Sequence, residues 1–272
     1  MILDTLAAAS KKRADEAKRT ISYRKMEEMA YSVFEAGQRD SDFSFEKAIS
    51  SPGISFICEV KRASPSKGMI APEFPYREIA MEYESAGADA ISVLTEPEYF
   101  LGKGEYLTEI SRSVSLPLLR KDFTVDPYQI LEAKVLGASA VLLICALLDT
   151  EKLREYMKIC DSLGLSALVE AHDEEEIHHA LSAGARLIGV NNRNLKTFEV
   201  DFENSIRLRN LVPAGTAFIA ESGIQTADDV KRLYQAGVNG VLIGESLMRS
   251  PDKKKILQEM RKAANGISGK EN

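Results

Sequence analysis

Two lysines and three glutamates stand where apolar runs of this sequence come to an end, and ammonium–carboxylate sets of that kind can move protons and hold anions. The first pair lies in Ile57-Cys-Glu-Val-Lys-Arg-Ala-Ser-Pro-Ser-Lys-Gly68, an apolar run that gives way to a polar segment punctuated by Pro and Gly. Successive strand side chains alternate faces, so Glu59 and Lys61 share one face and Val60 takes the other. Taken alone, the pair fits a surface salt bridge as well as it fits a site. Later runs end in Leu119-Arg-Lys-Asp122, in Glu170, in Asn191, in Glu221-Ser-Gly223 and in Gly244-Glu-Ser246.

The elements that position these residues follow from periodicity. Eight apolar runs occur at Ile54–Val60, Ala88–Leu94, Leu116–Arg120, Ala138–Ile144, Leu165–Val169, Arg186–Val190, Thr216–Ala220 and Gly240–Ile243. Each is followed by an amphipathic stretch: Tyr76–Ser85, Glu105–Ser113, Pro127–Leu136, Thr150–Leu163, Asp173–Ala183, Phe202–Asn210, Ala227–Ala236 and Pro251–Ala263. Strands joined by helices at every connection must pair in parallel with both faces covered. Eight such units predict an α/β fold, a (β/α)8 TIM barrel with an N-terminal helical extension. A repeat supports this. Ala86-Gly-Ala-Asp-Ala-Ile-Ser-Val-Leu94 is echoed after Leu136, Ala183 and Ala236, with glycines at 87, 137, 184 and 237 that stop one helix before the next strand.

The expected organisation is a helical extension over 1–53, a barrel over 54–265 forming a single domain with it, and a short polar tail over 266–272, frayed at its end. Helical spacing of Leu3, Leu6, Ala7 and Ala14, then Met26, Met29, Val33 and Phe34, covers 2–36, with Gly37 as the stop and a short helical turn from Ser44. Composition alone allows this leader to be a packing arm, a lid or a partner-binding helix pair. No second barrel is present.

Bulk properties exclude several classes. The 272 residues carry a net charge of −6, which argues against a general nucleic-acid binder. No uncharged run is long enough to span a membrane, and the N-terminus, broken by Asp4, is no signal peptide, so a cytoplasmic protein is expected. Cys58, Cys145 and Cys160 lack CxxC spacing and read as small buried hydrophobes. His172, His178 and His179 lack zinc spacing, the last two reading as surface residues, and Asp173–Glu176 reads as a solvated helix start; no metal is expected. There is no Walker loop or GxGxxG. A monomer is the default expectation for oligomeric state.

Barrels of this kind carry their sites at the C-terminal ends of the strands. If Leu119 faces inward so does Lys121, while Arg120 and Asp122 point outward and are free to pair; Leu168 and Glu170, and Ile219 and Glu221, follow the same rule. Two lysines and three carboxylates at one mouth are costly to bury without a function. Gly223 and Gly244-Glu-Ser246, after the seventh and eighth strands, occupy the usual place for backbone N–H groups that hold a phosphate, and Arg193 could add a bidentate charge.

These same segments carry a resemblance. Glu59-Val-Lys-Arg-Ala-Ser-Pro-Ser-Lys-Gly68, Ala90-Ile-Ser-Val-Leu-Thr95, Leu118-Leu-Arg-Lys-Asp-Phe123, Leu168-Val-Glu-Ala-His172, Gly189-Val-Asn-Asn-Arg-Asn-Leu195 and Ala220-Glu-Ser-Gly-Ile224 closely resemble indole-3-glycerol phosphate synthases of tryptophan biosynthesis, from the N-terminal helices to the last barrel helix. The resemblance implies a carboxy-lyase that closes 1-(2-carboxyphenylamino)-1-deoxyribulose 5-phosphate to an indole, losing carbon dioxide and water without a cofactor. It implies Lys121 as general acid at the ketone oxygen and Glu170 as the proton-handling group of the later dehydration. Lys61, supported by Glu59, would bind the substrate carboxylate and serve as a second candidate proton donor; Asn191 and Glu221 would position reacting groups. Ser64 lies in the loop after the first strand. Arg193, Ser222, Gly223, Gly244 and Ser246 would hold the phosphate, and Phe123 with residues of the leader would flank the aromatic ring.

Two other readings share the barrel. One is a Schiff-base lyase or aldolase using Lys61 or Lys121; the other is a barrel that binds a ligand without catalysis. The two lysines would lower each other's pKa and the glutamates oppose this, and sequence does not give the net direction.

Overall fold

A computed structural model describes residues 2–37, 43–194 and 197–266. The tail expected over 266–272 lies outside the described residues except for Gly266. Two helices open the chain, α1 (Ile2–Thr20) and α2 (Tyr23–Ala36), within the span 2–36 expected to be helical. The break comes at Ser22, whose Oγ accepts the Lys25 N–H at 3.3 Å and so starts a new helix. A six-residue α3 (Ser44–Ile49) leads to β1 (Ser55–Val60).

The polar segment after β1 is a small antiparallel hairpin, β2 (Ala63–Ser64) with β3 (Gly68–Met69), where sequence suggested an open loop. Then follow α4 (Tyr76–Ala86), β4 (Ala90–Leu94), α5 (Gly104–Ser111), β5 (Leu118–Lys121), α6 (Pro127–Val135), β6 (Ala140–Ile144), α7 (Thr150–Ser162), β7 (Ser166–Ala171), α8 (Glu174–Ala183), β8 (Leu187–Asn191), α9 (Glu203–Arg209), β9 (Ala217–Glu221), α10 (Ala227–Gln235) and β10 (Gly240–Ile243). The five-residue α11 (Glu245–Arg249), which the pattern did not predict, precedes α12 (Lys253–Asn265).

The eight strands β1 and β4 to β10 close in parallel into a barrel in chain order, β10 returning to pair with β1. Inward side chains Ile57, Ala90, Leu119, Leu142, Leu168 and Ile219 fill it as one buried cluster. Phe45 and Ile49 of α3 join that cluster fully buried, so α3 stoppers the N-terminal end. A second, larger cluster lies between strands and helices, with Val60, Val93, Val141, Val169 and Val190 on the outward faces of their strands. Cys58, Cys145 and Cys160 are buried free thiols. No helix is long and apolar enough to cross a membrane among the described residues.

Several strands run further than their apolar runs. Lys121, Glu170, Asn191 and Glu221 are inside the ladder, in register with Leu94 (Lys121), with Ile144 (Glu170) and with each other (Asn191 with Glu221). The polar residues thus sit on hydrogen-bonded backbone and not on loops, which fixes their directions.

Candidate active site

Inward alternation carries Glu59, Lys121, Glu170, Asn191 and Glu221 to the mouth, above the apolar fill, with Lys61 one step further along β1's direction. Lys121 Nζ donates to Glu170 Oε2 at 2.9 Å and to Glu221 Oε2 at 2.8 Å. An ammonium has three N–H groups, so one remains for a substrate oxygen. Lys61 Nζ donates to Glu59 Oε1. Arg120 and Asp122 do point outward and pair, at 3.6 Å.

Electrostatics separates the buried groups. Burial alone would drive the Lys121 ammonium toward its neutral form, but Glu170, Glu221 and Glu59 outweigh it and hold its pKa above the ordinary lysine value. This settles the direction for Lys121 that the sequence left open. Burial works against the Glu170 charge too, and Lys121 with His172 reverses it, leaving that carboxyl below its usual range. Glu221 is different: burial raises it, Lys121 only partly compensates, and the neighbouring Glu170 and Glu59 add to the rise, so it is pushed up to about 7. One ammonium shared by two carboxylates leaves one of them short of charge compensation. Glu221 Oε1 has no hydrogen-bond partner.

Glycines make the room. A Cβ on Gly189 would stand 2.2 Å from Glu221 Oε1, so the Glu221 carboxylate occupies the place a side chain on β8 would fill. A Cβ on Gly244 would meet Glu59 Oε1 at 2.5 Å and Lys61 Nζ at 3.1 Å. Gly244 is therefore required by the Glu59–Lys61 pair, a different reason from the phosphate approach that the sequence suggested.

A cavity of about 1090 Å³ opens above this set, large enough for a two-ring phosphorylated molecule. Lys61, Lys121, Glu170, Asn191 and Glu221 line its floor. On one side stand Arg193, Ser222, Gly223, Gly244 and Ser246, with Ser64 of the hairpin above. Ser222 (φ 67°) and Gly223 (φ 79°) are successive left-handed residues, which turns the backbone sharply out of β9. Ser246 Oγ donates to Ile224 O at 3.3 Å, and Arg193 Nη1 to Phe198 O at 3.1 Å. On the other side the wall is apolar: Phe123, Phe100, Ile144, and Ile2, Leu3 and Leu6 from α1. All thirteen residues singled out from sequence line this one cavity.

Sequence reasoning missed three neighbours. Arg13 of α1 reaches the loop after β5, its Nη2 3.1 Å from Asp122 Oδ1 and its Nη1 3.3 Å from the buried Glu96. Ser10 Oγ donates to Phe123 O at 2.6 Å, so α1 is tied to the residue after Asp122 as well. His172, set aside as a poor metal ligand, places Nε2 3.5 Å from Glu170 Oε1 and Nδ1 3.0 Å from Glu176 Oε2. Glu176 is accordingly turned inward, a correction to the solvated reading of Asp173–Glu176. Only its place two residues after Glu170 could have pointed to it. Among the described residues no group of three His, Cys, Asp or Glu side chains could hold a metal ion.

A family model for indole-3-glycerol phosphate synthase matches residues 3–260. The chain belongs to that family. An indole-3-glycerol phosphate synthase of Ruminiclostridium cellulolyticum is 56% identical over 97% of this chain and 100% of its own length. That of Lachnoclostridium phytofermentans is 52% identical, covering 96% and 99%. Among solved structures, 3-hexulose-6-phosphate synthase of Salmonella typhimurium superposes with a TM-score of 0.65 at 13% identity, over 78% of this chain and 99% of that one. Thiamine phosphate pyrophosphorylase of Pyrococcus furiosus gives 0.57 at 19%, over 79% and 97%. These two share the barrel fold. Membership of the indole-3-glycerol phosphate synthase family rests on sequence along nearly the whole length, leader included.

Proposed function

We propose that this enzyme closes 1-(2-carboxyphenylamino)-1-deoxyribulose 5-phosphate to indole-3-glycerol phosphate with loss of CO₂ and water, the carboxy-lyase step of tryptophan biosynthesis. The observation that carries the reading is Lys121, a protonated ammonium between two buried glutamates with one N–H unspent. Attack of the ring carbon on the ketone places electrons on the carbonyl oxygen, and a positioned proton donor there lowers the barrier by about 10²–10⁴-fold. The iminium formed on ring closure takes the electrons released with CO₂, so no electron-sink cofactor is needed. Glu170, held ionised, accepts a proton in the dehydration that follows.

Lys61, oriented by Glu59, receives the substrate carboxylate and is the second candidate proton donor. Asn191 and Glu221 position the reacting atoms from adjacent strands. The phosphate lies against Arg193, Ser222, Gly223, Gly244 and Ser246, with Ser64 of the hairpin closing over it, and the aromatic ring lies against Phe123 and the α1 side chains. The protein acts as a single-domain cytoplasmic monomer in which the leader is a wall of the site and not a separate module; the three unpaired thiols fit that compartment. Schiff-base chemistry is less well supported, because it needs a neutral amine and the surroundings of Lys121 favour the cation.

Incubation with the anilino-ribulose phosphate should give indole fluorescence. No product at high enzyme concentration would overturn the reading, and borohydride trapping of a sugar phosphate onto Lys61 or Lys121 would favour the aldolase.

A further inference from the structure

We propose that His172 is a positioning residue for Glu170: anchored by Glu176, its Nε2 faces Glu170 Oε1, so that Oε2 is left to Lys121, and the charged imidazole holds the Glu170 carboxylate in the orientation in which it takes a proton. The inference rests on the role given to Glu170 above.

Three observations converge. His172 follows Glu170 by two residues, one position past the end of β7, and its ring stands beside the Glu170 carboxylate. The ring is fixed at its far nitrogen, where Nδ1 stands 3.0 Å from Glu176 Oε2, and the same oxygen accepts the His172 backbone N–H at 2.8 Å. The near nitrogen, Nε2, is buried without a hydrogen-bond partner and stands at ion-pair distance, 3.5 Å, from Glu170 Oε1. A buried polar atom left unpaired is costly, and one aimed at a carboxylate of the site has its partner in reach after a small rotation.

The groups facing the ring are mostly acidic. Glu170 is beside it on β7, and Asp173 and Glu176 follow at the start of α8. Glu221 acts from β9, and Lys121 of β5 is held on the other oxygen of Glu170. Cys145, after β6, contacts Glu176 O at 3.5 Å through its thiol, and Asn204 of α9 donates to His172 O at 3.0 Å. Burial alone would favour the neutral ring, but the Glu176 hydrogen bond with Glu170, Glu176 and Glu221 overcomes it, and the His172 pKa lies above the ordinary 6.5. The imidazolium holds Glu170 Oε1 turned away from Lys121. When rising pH discharges the ring, that orienting hold is lost.

The protein has three histidines, so the His172 ring can be followed directly by NMR. Its titration midpoint should fall by about one unit in Glu170→Gln, as loss of one nearby charge does. In wild-type enzyme kcat should fall through the same midpoint as pH rises. His172→Gln should lower kcat about 5–20-fold at pH 6.5 with KM within about twofold, and abolish that alkaline limb. Glu176→Gln should keep the limb and move it to lower pH. A His172 midpoint unmoved by Glu170→Gln, or an alkaline limb that persists in His172→Gln, would overturn the proposal. The NMR arm needs no substrate, so failure of the wild-type enzyme to make indole would defeat the functional reading and leave the coupling to be judged by itself.

Discussion

The two ends of the barrel are built from the same strands and obey opposite rules. At the N-terminal end, α3 drives Phe45 and Ile49 into the strand interior, where both side chains are fully buried among apolar neighbours. At the C-terminal end the same inward rows finish in Glu59, Lys121, Glu170 and Glu221, buried charges that satisfy one another incompletely. Close packing makes the floor a source of stability. The mouth holds charges together at a cost that only a bound substrate repays. Two or three residues of rise along each strand separate the regimes.

Substitutions at the two ends should therefore fail differently. Lys121→Met should cut kcat by about 10²–10⁴-fold while inorganic phosphate still competes at its site, since the proton donor goes and the phosphate side stays; near-normal kcat would erase the distinction. At the floor, Phe45→Ala should lower unfolding free energy by about 3–5 kcal/mol, seen as a lower urea midpoint, with kcat of the folded enzyme within about twofold. A fall in kcat larger than the loss of folded protein would show that the two ends communicate. Gly223→Val should raise KM about 10-fold or more with a smaller effect on kcat, because a Cβ there stands 2.4 Å from Val200 Cγ1 and φ is 79°. An unchanged KM would remove that turn from the phosphate side.

The smallest effect tests the mouth's own cost. Glu221 binds its proton more tightly folded than unfolded, being raised from 4.5 to about 7. Its contribution to stability is therefore fully present below about pH 4.5 and is lost as pH rises through about 7. Glu221→Gln should raise the urea midpoint at pH 8 by about 1 kcal/mol equivalent, with most of the gain gone at pH 5, while kcat falls. A variant that is less stable at pH 8 would mean that Lys121 needs both carboxylates.

What could be read from sequence and what could not divides along range. The barrel was legible because each β/α unit repeats a local pattern, and Lys121, Glu170 and Glu221 were legible because strand parity ties them to Leu119, Leu168 and Ile219. Their assignment past the strand ends fell short by one or two residues, since charge at the mouth looks like the start of a loop. Arg13 and Ser10 escaped notice because their partners, Asp122 and Phe123, are more than a hundred residues away and no periodicity links them. Glu176 looked solvated because its neighbours Glu174 and Glu175 are exposed, and only the fold shows it turned toward His172.

The tie between α1 and the loop after β5 has a thermal consequence. Terminal helices detach at lower free-energy cost than a barrel opens. Arg13 and Ser10 anchor the residues that directly follow Lys121, and Ile2, Leu3 and Leu6 wall the cavity. Warming should therefore silence the enzyme while its strands are still fully paired, so that the temperature of inactivation falls below the temperature of melting, and the leader acts as the fuse of the molecule.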